Sequence, residues 1–253
     1  MTDQPQRPKD NKLEHPCFPQ PGNTSVRVWR YLDLPKFIWL LEHRKLHLSR
    51  LDLLNDPHEG TTPRLLAMLR DQQLREFGAE KMVAQIPSIN RQSRRSMYVN
   101  CWHLGNSESE AMWRLYCPND GGVAIQTTYE KLVASAANDP FCYIGTVTYI
   151  DYESQLFPLN NGFYPVMHKR ASFAHEREVR LVKTLPEYWG LPEREGPPGV
   201  SIDWEPEISV EAIYVNPYAP DFFHDVVCSV VRRFVPDLEK QVQWSQMRAA
   251  PVY

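Results

Sequence analysis

Apolar and polar positions along this chain switch between a period of two and a period near 3.6, and the switches mark the elements. The run V-R-V-W-R-Y over 26–31 alternates and predicts a first strand. Asp33 then offers a cap, Pro35 suits a first turn, and Phe37, Ile38, Leu40 and Leu41 recur at helical spacing, so a helix is predicted over 34–43. Residues 46–49 predict a short second strand. Thr62 and Pro63 predict the start of a helix reaching about Phe77, with Leu65, Leu66, Leu69 and Leu74 turned inward. Residues 78–95 lose the period, gain Arg91, Arg94 and Arg95, and read as a basic loop. The run M-Y-V-N-C-W-H-L over 97–104 predicts a central strand, with Cys101 and His103 on one face and Asn100 and Trp102 on the other. Ser107 and Glu110 form a capping box ahead of a short helix carrying Trp113 and Tyr116.

The second half continues with a strand over 123–127, a helix over 128–136, a strand over 144–149 and a loop over 151–165. A strand is predicted from about Glu176, and a Pro-, Gly- and Glu-rich surface excursion over 186–207. A strand over 210–215 precedes Phe222, Phe223, Val226, Val227, Val230, Val231 and Phe234, whose spacing predicts a core helix. Residues 242–244 predict a closing strand. With no internal repeat and no regular βαβ alternation, the pattern predicts an α+β fold of mixed, mainly antiparallel strands with flanking helices.

Composition narrows this. The 253 residues are 42% hydrophobic, enough for one sizeable core, so a single α+β domain is expected over 25–253. The polar, proline-rich stretch 1–24 reads as a mobile tail. A net charge of -3 gives no bulk attraction to nucleic acid. Five cysteines without a C-x-x-C pair read as free thiols in a reducing, cytoplasmic setting. The longest apolar run, 37–41, is too short to span a membrane, so no membrane partner is expected.

The densest charge pattern is H-K-R-A-S-F-A-H-E-R-E-V-R-L-V-K over 168–183. Strand geometry from Glu176 onward puts Glu176, Glu178 and Arg180 on one face, with the two carboxylates about 7 Å apart. Such a pair is unfavourable unless a ligand or a nearby cation offsets it, and Lys169, Arg170, Arg177 and Arg180 are the chain's own candidates. The segment N-D-P-H-E over 55–59 is strong turn chemistry, and it also supplies Asp56, His58 and Glu59 as site candidates. No G-x-G-x-x-G, P-loop, G-x-S-x-G, H-E-x-x-H or zinc-spaced Cys/His cluster is present.

In order, W-R-Y, L-H-L-S with N-D-P-H-E, V-N-C-W-H, M-W-R-L-Y with G-G-V-A-I, and K-R-A-S-F-A-H-E-R-E-V-R resemble a bacterial domain-of-unknown-function family related to some abortive-infection proteins. That resemblance spans about 26–215 and implies a role in phage defence or toxicity. More remotely, the chain is similar to arginine-serine-glutamate ADP-ribosyltransferases, which carry an Arg on the first strand, Ser-Thr-Ser in mid-chain and Glu-x-Glu before a later strand. Arg30 and the run Glu176-Arg177-Glu178 match by order, while Asn100-Cys101-Trp102-His103 stands where Ser-Thr-Ser would be.

The resemblance implies an ADP-ribosyltransferase-like core and NAD as substrate. It implies Glu178 as the catalytic carboxylate, Glu176 orienting or deprotonating the acceptor, and Cys101 or His103 serving in place of Ser-Thr-Ser on the middle strand. Arg30 and Tyr31 would meet the cofactor, with Trp113, Tyr116 or Tyr149 stacking on nicotinamide. The acceptor stays open among protein, nucleic acid, small molecule and water. Two other readings stand beside it. One is a non-catalytic binding or sensor module on the same fold. The other is a metal-dependent phosphodiesterase or nuclease joining Asp56 and Glu59 to Glu176 and Glu178, with Arg91 to Arg95 holding phosphate.

Overall fold

The computed structural model describes residues 12–188 and 196–250. The first strand, β1 (Arg27–Asp33), runs into α1 (Leu34–His43). The junction follows from cap chemistry: Asp33 Oδ1 accepts from the Lys36 amide at 2.9 Å, and Arg44, at φ 54°, ends the helix. Then come β2 (Lys45–Arg50), α2 (Arg64–Glu76) and α3 (Glu80–Arg95). Thr62 does not cap α2, whose N-cap is Pro63 with no side-chain bond. Leu66 is buried there, but Leu65 and Leu69 are exposed and Leu74 half-buried. Helix α3 replaces the expected basic loop. Its Val83, Ile86 and Asn90 turn wholly or partly inward at helical intervals, and Pro87 sits on the exposed side.

The chain continues through β3 (Met97–Leu104), α4 (Glu110–Tyr116), β4 (Gly122–Thr128), α5 (Tyr129–Ala137), β5 (Cys142–Thr146) and β6 (Thr148–Ile150). The cap of α4 is Ser109, whose Oγ accepts from Met112, rather than Ser107. Next are α6 (Tyr164–Met167), β7 (His168–Arg170), β8 (Glu178–Thr184) and β9 (Gly199–Asp203). The last elements are α7 (Pro206–Ser209), β10 (Ala212–Val215), α8 (Phe222–Phe234) and β11 (Val242–Trp244). Part of the expected surface excursion, 189–195, lies outside the described residues, and the part that follows forms β9 on the sheet edge.

The result is a mixed α+β fold on a mostly antiparallel sheet. The strand order is β11-β10-β4-β1-β3-β2-β9, with β8 joining β3 to β5 and only β10–β11 parallel within it. The side chains of α1, α5 and α8 bury Phe37, Leu41, Leu132 and Val231 against one sheet face, over Val28, Tyr98, Trp102 and Ile125. On the expected tail, residues 1–11 lie outside the described residues, whereas Cys17 and Phe18 are buried beside Met97, Val99 and Val182. Phe18 stacks on Tyr143 at 5.2 Å, and Pro19 O accepts from Thr146, so this segment is a strap on the fold.

One feature of the sheet positions the site. Strand β3 pairs along one whole edge with β8, from Met97↔Thr184 to His103↔Glu178. Its other edge is shared: β2 takes Tyr98 and Val99, and β1 takes His103 and Leu104. Between them β1 and β2 part, and side chains fill the gap. Asn100 Nδ2 donates to His47 O at 2.7 Å, and Arg30 Nη1 donates to Cys101 O at 2.5 Å.

Candidate functional site

A cleft of about 420 Å³ opens over this split. That is within the usual size of small-molecule sites. Period-two geometry puts Cys101 and His103 of β3 on the same face as their partners Arg180 and Glu178 of β8. Arg30 and Tyr31 are chain neighbours and so leave β1 on opposite faces. Tyr31 joins the site face directly. Arg30 shares the face of Val28 and Leu32, and lines the cleft because the sheet is parted there.

Beneath the cleft lies a buried charge cluster. Arg180 is fully buried; its Nη1 donates to Glu59 Oε2 at 3.0 Å and to Val166 O at 2.6 Å, and its Nη2 donates to Glu178 and to Glu59. Lys169 Nζ lies 2.5 Å from Glu176, 3.0 Å from Glu59 and 3.8 Å from Glu178. Three carboxylates therefore share two cations, and with all groups ionised one negative charge is left over. The offset expected from the sequence is met by Lys169 and Arg180. Arg170 pairs with Asp56 at 2.8 Å instead, and Arg177 is exposed.

Burial sets the protonation preferences. It opposes the charge on Lys169, but Glu178, Glu59 and Glu176 outweigh it and hold the ammonium's pKa above its ordinary value. Burial likewise works against the Glu59 carboxylate, yet Arg180 and Lys169 bring its pKa below normal. For Glu176 burial prevails, helped by the charges of Glu178 and Glu59 against that of Lys169, and its pKa is raised.

Glu176 reaches the cluster by a route unlike the one its sequence suggested. It is not on the strand. It ends a 3-10 turn, Ala171–Glu176, and Arg177 then takes a left-handed conformation at φ 42°, so β8 begins at Glu178. That turn frees the Glu176 carbonyl to accept from His103 Nδ1 at 2.7 Å. A carbonyl only accepts, so Nδ1 carries the proton and Nε2 keeps its lone pair. Burial lowers the His103 pKa, against that bond, which favours the neutral ring.

The cleft brings together Glu176, Glu178, His103, Arg30, Tyr31 and Tyr116. Tyr116, 43% exposed, presents its ring at the end of α4. Tyr31 is buried, and its hydroxyl accepts from the Ser109 amide at 2.8 Å. Trp113 is not brought to the cleft wall. It sits in a small core with Trp29, Met112 and Ala124, edge-on to Tyr31 at 4.9 Å, and its indole donates to Glu108. The Tyr149 hydroxyl accepts from the Glu178 amide at 2.8 Å and so fixes the start of β8.

Leu115 and Phe173 also line the cleft and carried no sequence signal. Phe173 lies over Lys169 Nζ at 4.7 Å. Cys101 hydrogen-bonds to Glu178, and burial and that carboxylate raise its thiol pKa, which disfavours a thiolate there. Among the described residues no group of three or more His, Cys, Asp or Glu is arranged to hold a metal ion. At the meeting point of Glu59, Glu176 and Glu178 stands the ammonium of Lys169.

A larger hollow, about 540 Å³, lies between α5 and the β9–α7 region. Its lysines are already answered: Lys45 by Asp203, Lys131 by Glu211 and Lys183 by Asp139. Among the described residues no helix is long and apolar enough to cross a membrane. Neither family models, nor curated proteins, nor solved structures yielded a match to this chain.

Proposed function

We propose that the chain binds NAD in this cleft and breaks its nicotinamide–ribose bond, passing ADP-ribose to an acceptor or to water. One observation carries the reading: Glu176 and Glu178 line the same cleft as Arg30, with the Tyr116 ring beside them. The nicotinamide end of NAD is cationic and becomes more so at ribose as the bond breaks. A cluster with one carboxylate in excess favours that charge. Arg30 suits the diphosphate, and Tyr116 suits the ring face.

The bond between the nicotinamide nitrogen and ribose C1′ breaks, and its electron pair stays on the ring nitrogen and neutralises it. Glu178 stabilises the ribosyl cation. The acceptor's lone pair closes on C1′ and its proton passes to Glu176, whose raised pKa favours taking it up. The similarity of Arg30 and Glu176-Arg177-Glu178 to the ADP-ribosyltransferase pattern supports the same reading. The resemblance to abortive-infection proteins suggests a role in phage defence in the bacterial cytoplasm.

A second reading, a binding module without turnover, is favoured by the grip of Arg180 and Lys169 on Glu178. Purified protein with labelled NAD separates the two. Release of nicotinamide supports cleavage, saturable NAD binding without release supports the module, and the absence of both retires NAD as the ligand.

A further inference from the structure

We infer that Glu59 is a positioning residue for this cleft: it holds Arg180 and Lys169 in common with Glu178 and so sets how firmly both cations grip that carboxylate. The residue comes from the N-D-P-H-E turn, far from β8 in sequence, and has no part in the proposed reaction. The turn is wound to send it inward. Asp56 Oδ1 accepts from the His58 amide at 3.0 Å, Asp56 O accepts from the Glu59 amide at 3.1 Å, and Gly60 exits at φ +68°. Its side chain is 2% exposed, and both oxygens are used: Oε2 on Arg180 Nη1, and Oε1 on Arg180 Nη2 at 3.3 Å and Lys169 at 3.0 Å.

Glu59 stands between the two cations that reach Glu178. Without its charge, Arg180 and Lys169 would close on Glu178 and Glu176, and less negative charge would face the cleft. Glu176 reports this. It is faced by Lys169 from β7, Glu178 from β8, Glu59 from the turn, Tyr116 from α4 and Tyr149 from β6, while His103 of β3 takes its carbonyl. Glu59 is among the charges that raise its pKa, so loss of Glu59 lowers it.

The test is a carboxyl-labelled glutamate NMR titration of the full chain as wild type, Glu59→Gln and Glu59→Asp, with Glu176 assigned through Glu176→Gln. In Glu59→Gln the Glu176 midpoint is expected to fall by about half a pH unit. The shorter carboxylate of Glu59→Asp should fall between, and it carries the test if the glutamine variant does not fold. A midpoint equal to wild type in the folded variant would overturn the inference. The kinetic arm alone rests on the glycosidic reading: nicotinamide release should lose about tenfold in kcat with KM within about threefold. Wild type that releases no nicotinamide, with a Glu176 midpoint that still moves, would retire that reading and leave the role of Glu59 standing.

Discussion

Arg180 binds two carboxylates and a backbone carbonyl with no exposed surface, so cutting it back should be severe. Arg180→Met strands Glu59 and Glu178 in the interior, and we expect a loss of about 3–5 kcal/mol in urea unfolding. A loss under about 1 kcal/mol would mean that the two carboxylates find other partners. The pH dependence has a defined sign. Glu59 has a folded pKa below 4.5, so its stabilisation is full above 4.5 and is lost as pH falls through the folded value. Glu176 runs the other way: its folded pKa lies above 4.5, so its ionisation removes stability as pH rises through that value. Melting curves of wild type and Glu59→Gln should therefore differ most near pH 7 and converge as pH drops below 4.5. A gap constant down to pH 3 would contradict this. Strand periodicity made Glu178 and Arg180 legible as a same-face pair. It misplaced Glu176, because nothing at Arg177 marks a left-handed residue where glycine is usual.

Among the elements, the turn after β2 is held by geometry that favours glycine at position 60. Its φ is +68°, and an added Cβ would lie 2.5 Å from Leu51 Cδ2. Gly60→Ala is expected to cost more than about 1 kcal/mol and to loosen NAD binding, since residues 54–56 and 59 form one wall of the cleft. Unchanged unfolding and binding would argue against that strain. Pro87 offers the opposite case. Inside α3 it lacks the amide that would bond Val83 O, so Pro87→Ala should stabilise the fold by about 1–3 kcal/mol in urea unfolding. Helix α3 was hidden in the sequence because residues 78–95 lose the apolar period and gain the basic run of Arg91, Arg94 and Arg95, which read as a loop. Helix α1 was legible to the residue because Asp33, Pro35 and the Phe37–Leu41 spacing all agree.

At the scale of the molecule, the sequence carries the α+β class and most strands, and it does not carry their order. Pairing β3 with β8 joins residues some eighty positions apart, and no local pattern encodes that. The parting of β1 and β2 is a long-range feature too, since β3 takes β2 at Tyr98 and Val99 and β1 at His103 and Leu104. Without that parting Arg30 would be one more side chain under α1 and α8, and the place of Cys17 and Phe18 depends likewise on β3, β5 and β8 having come together.

That parting also gathers a turn at 55–60, a helix end at Tyr116 and a strand start at Glu178 around one volume, and the proposed chemistry depends on all three. The most direct test incubates NAD with wild type and with Glu178→Gln, each shown to be folded, and follows nicotinamide release and NAD binding together. Release by wild type, at least about a hundredfold above a Glu178→Gln protein that still binds NAD, is the expected result. Equal release by both proteins would contradict a role for Glu178 in stabilising the ribosyl cation.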